Sequence, residues 1–309
     1  FQHDLDLLSW PIWVAGGIFC LSFLVQLFYY LYFYLSALLL KRKANKGNIH
    51  FQTTQPPVSV IICAKNESKN LSDFLPSILT QDYPNYEVIV VNDGSTDESE
   101  IVLANFERTY KHLYHTYIPE NVKVMSPKKL ALTVGIKAAK YDYLLFTDAD
   151  CQTVSDKWIA NMMRNFTPKT DFVLGYGAYE QKPGFLSHLV SYDTFFILLQ
   201  YTGFAYRGKP YMGVGRNMAY RKQLFFDRKG FASILHLQSG DDDLFINKAA
   251  TKTNTAIEID PDSTTVSTLS ENFKNWFIQK ERHLSTAAYY KNQSKNLIGI
   301  EVLSRGLFY

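Results

Sequence analysis

The stretch that decides the fold is residues 144–150, which read Leu-Leu-Phe-Thr-Asp-Ala-Asp. Its apolar part predicts a buried strand, and a side-chain period of two places Asp148 and Asp150 on the same side. Two carboxylates at a rigid strand end form a hard-oxygen site for Mg²⁺ or Mn²⁺, whose shell a phosphate would complete. A strand followed by a polar turn explains the same residues, because Asp is common in turns. The other acidic segments distinguish the two interpretations.

Strands and helices alternate through the first half of the chain. Short apolar or β-branched runs predict strands at residues 58–63, 86–91 and 141–147. Amphipathic segments predict helices at residues 70–80, 97–110 and 127–139. Alternation of this kind predicts an α/β fold with a mostly parallel sheet and helices on both faces.

Polar residues follow each predicted strand. Asn66 and Glu67 come after the first strand, and residues 92–97 after the second read Asn-Asp-Gly-Ser-Thr-Asp. Ligands of open α/β sheets bind beyond the carboxyl ends of the strands, so we expect Glu67, Asp93 and Asp148 to form one site. Asp93 can accept hydrogen bonds from a base or a ribose. Ordinary turn and cap chemistry accounts for part of this pattern.

Composition limits the possible classes of protein. The 309 residues are 47% hydrophobic and 15% aromatic, which excludes a disordered protein. The net charge of +3 is too small to indicate a nucleic-acid partner. Cys20, Cys63 and Cys151 are scattered, so they indicate neither a zinc site nor a disulfide framework. Reduced thiols in core strands are typical of a cytosolic catalytic domain.

The N-terminal segment predicts a membrane anchor. No charged residue occurs from Leu7 to Leu40, and about 20 apolar residues suffice to cross a bilayer. The run is too long, and its acidic N-terminal flank (Asp4 and Asp6) too poor in basic residues, for a cleaved signal peptide. Basic residues follow it at once, namely Lys41, Arg42, Lys43 and Lys46. The positive-inside rule therefore predicts a single pass through the plasma (inner) membrane, with the N-terminus outside and a cytoplasmic catalytic domain.

Two other apolar segments have open interpretations. Residues 186–206 are too interrupted by Asp193, Gln200 and Gly203 to predict a bilayer span. They favour a core helix, and a helix lying on the membrane surface is the alternative. The apolar stretch from Leu297 to Tyr309 contains Glu301 and Arg305, and it either lies on the membrane or starts a further span. The predicted organisation is an anchor (1–43), a linker (44–56), a catalytic domain (57–290) and an apolar tail (291–309).

Six short motifs follow one another between Pro57 and His283. They are residues 64–67 (Ala-Lys-Asn-Glu), 92–97, 148–150, 213–221 (Gly-Val-Gly-Arg-Asn-Met-Ala-Tyr-Arg), 240–244 (Gly-Asp-Asp-Asp-Leu) and 279–283 (Gln-Lys-Glu-Arg-His). In this order they resemble the motifs of the family 2 glycosyltransferases, which have the GT-A fold. Each motif alone is a weak signal, but six in the order of the family are improbable by coincidence.

The resemblance implies a role for each motif residue. It implies that Asp148 and Asp150 hold a divalent Mg²⁺ or Mn²⁺ ion on the donor diphosphate. The nucleotide-binding residues that it implies are Glu67, Asp93, Lys128, Asp148, Gln279 and Arg282, and those on the acceptor side are Asp241, Gly215, Arg216 and His283. His283 stands where the family has Trp, which puts the acceptor and processivity in question.

The acidic run at residues 241–243 predicts the catalytic base. The family places its base at the second acid of an acidic pair, and the distance to Lys248 selects Asp242, with Asp241 as the fallback. A polar N-cap of a helix that begins near Leu244 also explains an Asp here. Three adjacent carboxylates repel one another, however, so capping alone is a poor reason for the whole run.

These observations predict a membrane-anchored, metal-dependent, inverting glycosyltransferase. A single base suits one in-line displacement, because only the acceptor hydroxyl must lose a proton. The expected partners are a nucleotide sugar, with UDP favoured over GDP, a lipid-linked or cell-envelope saccharide acceptor, and membrane lipids. Two alternatives stay open: transfer directly to a polyprenyl phosphate or a diacylglycerol lipid, and a catalytically inactive scaffold that binds a sugar nucleotide.

Overall fold

The computed structural model describes residues 2–47, 49, 51–120, 126–270 and 272–309, with side chains described from Trp10 onward. The predicted acidic flank at Asp4 and Asp6 therefore lies outside the described side chains. Asn48 and His50 of the predicted linker likewise lie outside the described residues.

The chain begins with a long helical rod. Helix α1 (Gln2–Tyr29) continues through a π-helical stretch (Tyr30–Tyr34) into α2 (Leu35–Asn45). The helix therefore extends two residues into the predicted linker. Among the described residues, Trp10–Asn45 is the one helix long and apolar enough to cross a membrane by length and composition. Most of its large apolar side chains are exposed, as a lipid-facing helix requires.

The first half of the domain alternates strands and helices. In order these are β1 (Val58–Ala64), α3 (Ser68–Leu79), β2 (Tyr86–Asp93), α4 (Ser99–Thr109), β3 (Leu113–Ile118), α5 (Pro127–Ala138) and β4 (Tyr143–Asp148). Each predicted strand and helix of this half is present, with bounds shifted by one or two residues. The sequence analysis missed β3, which is buried only at its two ends, Leu113 and Ile118, and contains no apolar run.

The second half contains shorter strands, and its helices range from six to 22 residues. It comprises β5 (Cys151–Thr153), α6 (Trp158–Met163), β6 (Phe172–Leu174), β7 (Gly177–Tyr179), α7 (Phe185–Tyr206), β8 (Met218–Arg221), α8 (Lys222–Asp227), α9 (Asp243–Ala249), β9 (Thr255–Ile257), β10 (Thr265–Ser267), α10 (Phe273–Leu284) and α11 (Asn292–Phe308). Short 3₁₀ turns at Ala232–Ile234, Pro261–Ser263 and Ser285–Tyr289 connect some of them.

Within the described residues, seven strands form the central sheet in the order β3-β2-β1-β4-β8-β6-β9. The pairs β1–β2, β1–β4, β2–β3 and β6–β9 are parallel, whereas β8 runs antiparallel to both of its neighbours. A small second sheet has the order β5-β10-β7. The mostly parallel α/β architecture predicted from the sequence is confirmed.

The strands of the central sheet are buried on both faces. In β1, Ile61 belongs to the hydrophobic cluster on one face, and Val60 and Ile62 to the cluster on the other. This alternation explains why the strand is a continuous apolar run. The first cluster also contains Tyr29 and Phe33, so the core of the domain extends onto the N-terminal rod.

Helix α7 joins the domain to the rod. It packs on α2 and on the π-helical stretch, where the rings of Phe204 and Phe33 stack with centroids 4.2 Å apart. The Arg207 side chain donates to the carbonyl of Tyr32 at 2.7 Å. The prediction of a core helix at residues 186–206 is confirmed, since half of its residues are buried.

Helix α11 lies antiparallel beside α1. Gln26 donates to Ser304 Oγ at 2.8 Å, and the Tyr29 hydroxyl donates to the carbonyl of Leu297 at 2.7 Å. Farther toward the N-terminus, the rings of Phe19 and Phe308 stack. The predicted apolar tail is therefore a helix that pairs with α1.

Candidate active site

The carboxyl ends of three parallel strands bring the predicted residues to one edge. Cys63 of β1 is in register with Val91 of β2 and with Asp148 of β4. Asp93 therefore ends β2 two residues beyond the level at which Asp148 ends β4. We call this region, with Lys128 at the start of α5, the sheet edge.

Asp150 corrects one detail of the prediction. Strand β4 ends at Asp148, and Asp150 lies in the turn before β5. The two side chains are therefore not aligned by a strand period. Burial and the charge of the nearby Asp148 raise the pKa of Asp150 to about 6.

Lys128 lies between two of the acidic segments. Its ammonium is 3.0 Å from Asp148 Oδ1 and 3.6 Å from Asp241 Oδ2. Burial acts to raise the pKa of the Asp148 carboxyl, but the adjacent ammonium outweighs it and holds that pKa below its usual value. The carboxylates of Asp148, Asp241 and Asp242 raise the pKa of Lys128 against the opposing effect of burial.

The two loops after β1 and β2 interlock. Asn66 has a positive φ of 55°, its N–H donates to Ser95 Oγ at 2.9 Å, and its side-chain oxygen accepts from Thr96 N at 2.8 Å. Gly94 also has a positive φ, and a Cβ there would be 2.8 Å from the Cα of Glu120. The Gly94 turn therefore requires glycine.

Glu67 and Asp93 occupy these loops. Glu67 accepts from the Asn70 side chain at 2.6 Å, and burial, with the charges of Asp148 and Asp97, raises its pKa against that hydrogen bond. Asp93 lies 4.0 Å from the Lys65 ammonium. The charge of Asp148 reaches Glu67, which supports the predicted convergence of these strand ends.

The acidic run splits into three different environments. Asp241 lies against Lys128. Asp242 is the N-cap of α9: its Oδ1 accepts from Asp243 N at 2.7 Å and its Oδ2 from Gly215 N at 2.8 Å. The capping interpretation of Asp242 is thus correct. Burial and the charges of Asp241 and Asp243 nevertheless raise the pKa of Asp242 to about 7, which is suited to a general base.

Gln279 and Arg216 meet at Tyr179. The Gln279 side chain donates to the Tyr179 hydroxyl at 3.1 Å, and the Arg216 guanidinium lies 4.1 Å from the centre of the same ring. Arg216 also donates to the carbonyl of Gly177 at 3.0 Å. Tyr179, which the sequence analysis missed, therefore connects two of the predicted motifs.

One cavity of about 260 Å³ adjoins these groups. On one side lie Lys128 and Asp148 of the sheet edge. On the other lie α7 and α10, which we call the helical wall. Of the predicted residues, the cavity is lined by Lys128, Asp148, Gly215, Arg216, Asp242, Gln279, Arg282 and His283. Glu67, Asp93, Asp150 and Asp241 lie outside its lining, next to the sheet edge.

The surroundings of His283, which lies exposed on α10, lower its pKa. Desolvation of the imidazole, with the positive charges of Arg282 and Lys280, lowers its pKa to about 4. Gln279 and Arg282 both line the cavity, as expected from their spacing of three on α10. Gln279 is committed to Tyr179, whereas Arg282 is exposed.

A family model described as "Glycosyl transferase family 2" matches residues 59–227, which is more than half of the chain. The protein belongs to glycosyl transferase family 2. The match covers the sheet edge and the whole motif at residues 213–221, and the motifs at residues 240–244 and 279–283 lie beyond its end.

Curated relatives agree with this assignment. A poly-beta-1,6-N-acetyl-D-glucosamine synthase of Staphylococcus epidermidis is 28% identical over 190 residues, which are 59% of this chain and 41% of that protein. The putative teichuronic acid biosynthesis glycosyltransferase TuaG of Bacillus subtilis is 32% identical over 104 residues, which are 34% of this chain and 38% of that protein. The matched segments thus span about two fifths of these relatives.

A solved structure confirms the GT-A-like fold of this family 2 chain. The mannosyltransferase PcManGT of Pyrobaculum calidifontis, solved in complex with GDP-Man and Mn²⁺, has a TM-score of 0.66 and 20% identity. The alignment covers 94% of this chain and 80% of that one. At this identity the similarity concerns the fold alone.

The donor atoms of the family 2 site fit a divalent ion that a ligand helps to coordinate. Asp148 and Asp150 supply the oxygen ligands that Mg²⁺ and Mn²⁺ prefer, and a cation, the Lys128 ammonium, already lies against Asp148. Among the described residues, no three His, Cys, Asp or Glu side chains are grouped to hold a metal by themselves. The pair therefore needs further oxygens from a bound phosphate.

Two buried groups around the acidic run were missed by the sequence analysis. The Lys129 ammonium donates to the carbonyls of Leu237 and Ser239, both at 2.7 Å, and so fixes the segment that leads into the acidic run. Asp243 accepts from the hydroxyls of Tyr290 (2.7 Å) and Thr286. Lys128 and Lys129 are neighbours of the same residue type. The sequence alone could not show that Lys128 faces Asp148 whereas Lys129 bonds the carbonyls ahead of the acidic run.

Proposed function

We propose that the protein is a membrane-anchored, inverting glycosyltransferase that moves a sugar from a nucleotide-diphosphate donor to a lipid-linked or cell-envelope saccharide. The observation that carries this proposal is that Asp148, Lys128 and Asp242 line one cavity although they are distant in sequence. Family membership and the envelope-polysaccharide relatives support the choice of donor and acceptor class.

The proposed reaction is a single displacement. Asp242 takes the proton of an acceptor hydroxyl as the oxygen attacks the anomeric carbon, and the bond from that carbon to the diphosphate breaks. The nucleoside diphosphate leaves with the bonding electrons, and the anomeric configuration inverts. The Gly215 N–H orients the Asp242 carboxylate through Oδ2. Arg282, at the same cavity, offers the planar fork that binds phosphate oxygens.

Asp148 and Asp150 are the residues that would hold the Mg²⁺ or Mn²⁺ ion. When bound, such an ion neutralises charge on the leaving diphosphate. Lys128 lies beside Asp148 and adds a second positive charge at the same place. No protonated acid is then needed at the leaving group, which agrees with a site that has one candidate base.

The nucleotide itself is proposed to bind at the interlocked loops, with Asp93 and Glu67 toward the base and ribose. UDP-sugars are the first donors to test, as the sequence analysis favours them. GDP-mannose is the second, because the mannosyltransferase of like fold was solved with it. A ligand that binds the native state raises apparent stability, so a thermal-shift screen with Mn²⁺ present identifies the donor.

Transfer directly to a lipid is the second candidate. It is favoured by two apolar side chains of the cavity lining, Ile197 of α7 and Ile298 of α11, because these helices pack on the N-terminal rod. In this version the acceptor hydroxyl or phosphate belongs to a polyprenyl phosphate or a diacylglycerol lipid. The labelled product distinguishes the candidates, because the sugar is found either on a saccharide or directly on lipid.

The membrane placement is also a proposal. The exposed apolar surface of α1 and the basic residues after Leu40 support a crossing with the catalytic domain on the cytoplasmic side of the plasma membrane. Because α11 runs antiparallel along α1, we propose that it enters the bilayer from the same side. The predicted single pass then becomes a pair of helices within the described chain.

Replacing Asp242 tests the proposed function. We expect Asp242→Asn to reduce transfer by about 10²–10⁴-fold, because an amide cannot accept the proton. Metal-dependent nucleotide binding is expected to stay near the wild-type level. Asp156→Asn, an exposed change outside the cavity, is the control. Comparison with Asp241→Asn decides between the base and its fallback: unaltered turnover of Asp242→Asn with an inactive Asp241→Asn would move the role to Asp241.

A further inference from the structure

Two helices of the cavity present complementary stripes to each other. The α7 side chains in the lining recur at helical spacing, namely Asp193, Thr194, Ile197, Gln200 and Tyr201. Those of α10 are Trp276, Gln279, Lys280, Arg282, His283 and Leu284, most of them also three or four positions apart. Positions three or four apart lie on one helix face, so each helix contributes one continuous stripe to the groove between them.

The groove has an amphipathic lining. Lys280 of α10 forms an ion pair across it with Asp193 of α7. Trp276 lies one turn from Lys280, with the ammonium 5.9 Å from its ring centre. Aromatic faces thus alternate with charged and amide groups. A sugar has the matching character, since its C–H face stacks on an aromatic ring while its hydroxyls bond carboxylates and amides.

An acyl chain suits this lining less well. It would remove water from the Asp193 and Lys280 charges and from the Gln200 amide without offering hydrogen bonds in return. Of the side chains that would suit a lipid, Ile197 lies within the α7 stripe between the polar residues Thr194 and Gln200, and Ile298 belongs to α11 rather than to either stripe.

The spacing along α10 indicates how long the bound saccharide is. Trp276 and His283 are seven residues apart, so both face the groove and lie about 10 Å apart along the helix. His283 is the motif position beside the proposed reaction centre. A ligand that reaches both residues extends beyond a single sugar ring.

We propose that the groove between α7 and α10 binds the acceptor as a saccharide of at least two residues, with Trp276 as the stacking platform for the sugar remote from the reaction centre. The inference rests on the proposed function, whose acceptor it specifies. It also assigns an aromatic platform to a chain that has His rather than Trp at position 283.

The test uses the full chain in detergent and oligosaccharides of one to four N-acetylglucosamine residues. Binding is measured by saturation-transfer NMR, which needs no turnover. Trp276→Ala is expected to weaken binding of the trisaccharide and tetrasaccharide about tenfold, the equivalent of one aromatic contact, while the monosaccharide is bound as in the wild type. Trp276→Phe is expected to retain most of the affinity. Phe277→Ala is the matched control, because Phe277 is the next residue, is 57% exposed and does not line the cavity.

Donor binding and hydrolysis of the donor by water separate the possible failures. If Trp276→Ala loses donor binding as well as every oligosaccharide, Trp276 is structural and the platform is wrong. If the length dependence matches that of the wild type, or if a polyprenyl phosphate binds the groove and the oligosaccharides do not, the proposal is overturned. If oligosaccharides bind through Trp276 but the wild type neither transfers nor hydrolyses any donor, the subsite stands and the proposed function fails.

Discussion

The sheet edge and the helical wall enclose one cavity, but they hold their side chains by different means. At the sheet edge, the carboxylates follow buried parallel strands whose register places Cys63, Val91 and Asp148 at one level. On the helical wall, no residue of α10 is buried, and its side chains reach the rest of the domain mainly through Gln279–Tyr179 and Lys280–Asp193. A rigid edge suits a fixed metal and diphosphate, whereas a lightly held helix can adapt to different acceptors.

The largest effect is expected from removing a carboxylate at the sheet edge. Asp148→Asn is expected to lower transfer by at least about 100-fold and to abolish the dependence of donor binding on a divalent ion, because one of the two proposed ion ligands is lost. Transfer rates and donor titrations with and without Mn²⁺ measure both effects. Asp156→Asn removes an exposed carboxylate that does not line the cavity, so it is the control for the loss of one acidic charge.

Retention of Mn²⁺-dependent donor binding in Asp148→Asn would contradict the assignment of the ion to this pair. The rigid placement of Asp148 at the strand end would then not serve to hold an ion. The helical wall would have to supply the phosphate contacts instead, through Arg282.

The two regions also differ in how much the sequence reveals. At the edge, Val58–Ala64 and Tyr86–Asp93 are apolar runs that end in polar motifs, and local pattern was enough to place Glu67, Asp93 and Asp148. The error over Asp150 arose from extending the strand period past its last residue. Strand β3 was missed, because only its two end residues are buried and no apolar run marks it in the sequence.

On the wall, the residues that matter depend on distant partners. Tyr179 connects Gln279 with Arg216 across 100 positions of sequence, and Tyr290 reaches Asp243 across 47. The residues next to Tyr179 and Tyr290 in the sequence do not indicate these contacts. The pairing of α11 with α1 is equally non-local. From the sequence, the polar residues of the tail therefore indicate only interruptions of an apolar segment, although one of them, Ser304, accepts a hydrogen bond from Gln26 of α1.

The pH dependence of transfer tests Asp242, which lines the cavity together with residues of both regions. Since the pKa of Asp242 is raised to about 7, kcat/KM is expected to rise about tenfold per pH unit below that value and to level above it. The measurement requires saturating Mn²⁺, because the pKa of Asp150 is also raised, to about 6. An acid limb centred near 4 would show that Asp242 is not perturbed.

Stability should move in the opposite direction, and this separates catalysis from unfolding. A carboxyl whose pKa is higher in the folded than in the unfolded state stabilises the fold at acid pH, and this contribution is lost as pH rises through about 7. Melting temperatures of the wild type are therefore expected to fall, relative to Asp242→Asn, over the range in which activity increases. Parallel changes in activity and stability would instead indicate that the acid limb reports unfolding.

The smallest expected effect concerns the contact between α7 and the N-terminal rod. A Cβ at Gly203 of α7 would be 2.3 Å from the Phe33 carbonyl oxygen, which is backbone and cannot rotate away. Gly203→Ala is therefore expected to destabilise the protein by about 1–3 kcal/mol, the usual cost of overpacking, and to lower the melting temperature in detergent by several degrees. Gly17→Ala is the matched control, because nothing lies within 4 Å of a Cβ there and both changes gain the same helix propensity. Donor binding at the sheet edge should be unchanged in both variants. If both melt at the same temperature, α7 does not depend on close contact with the rod, and the wall is attached more loosely than its stacking of Phe204 on Phe33 indicates.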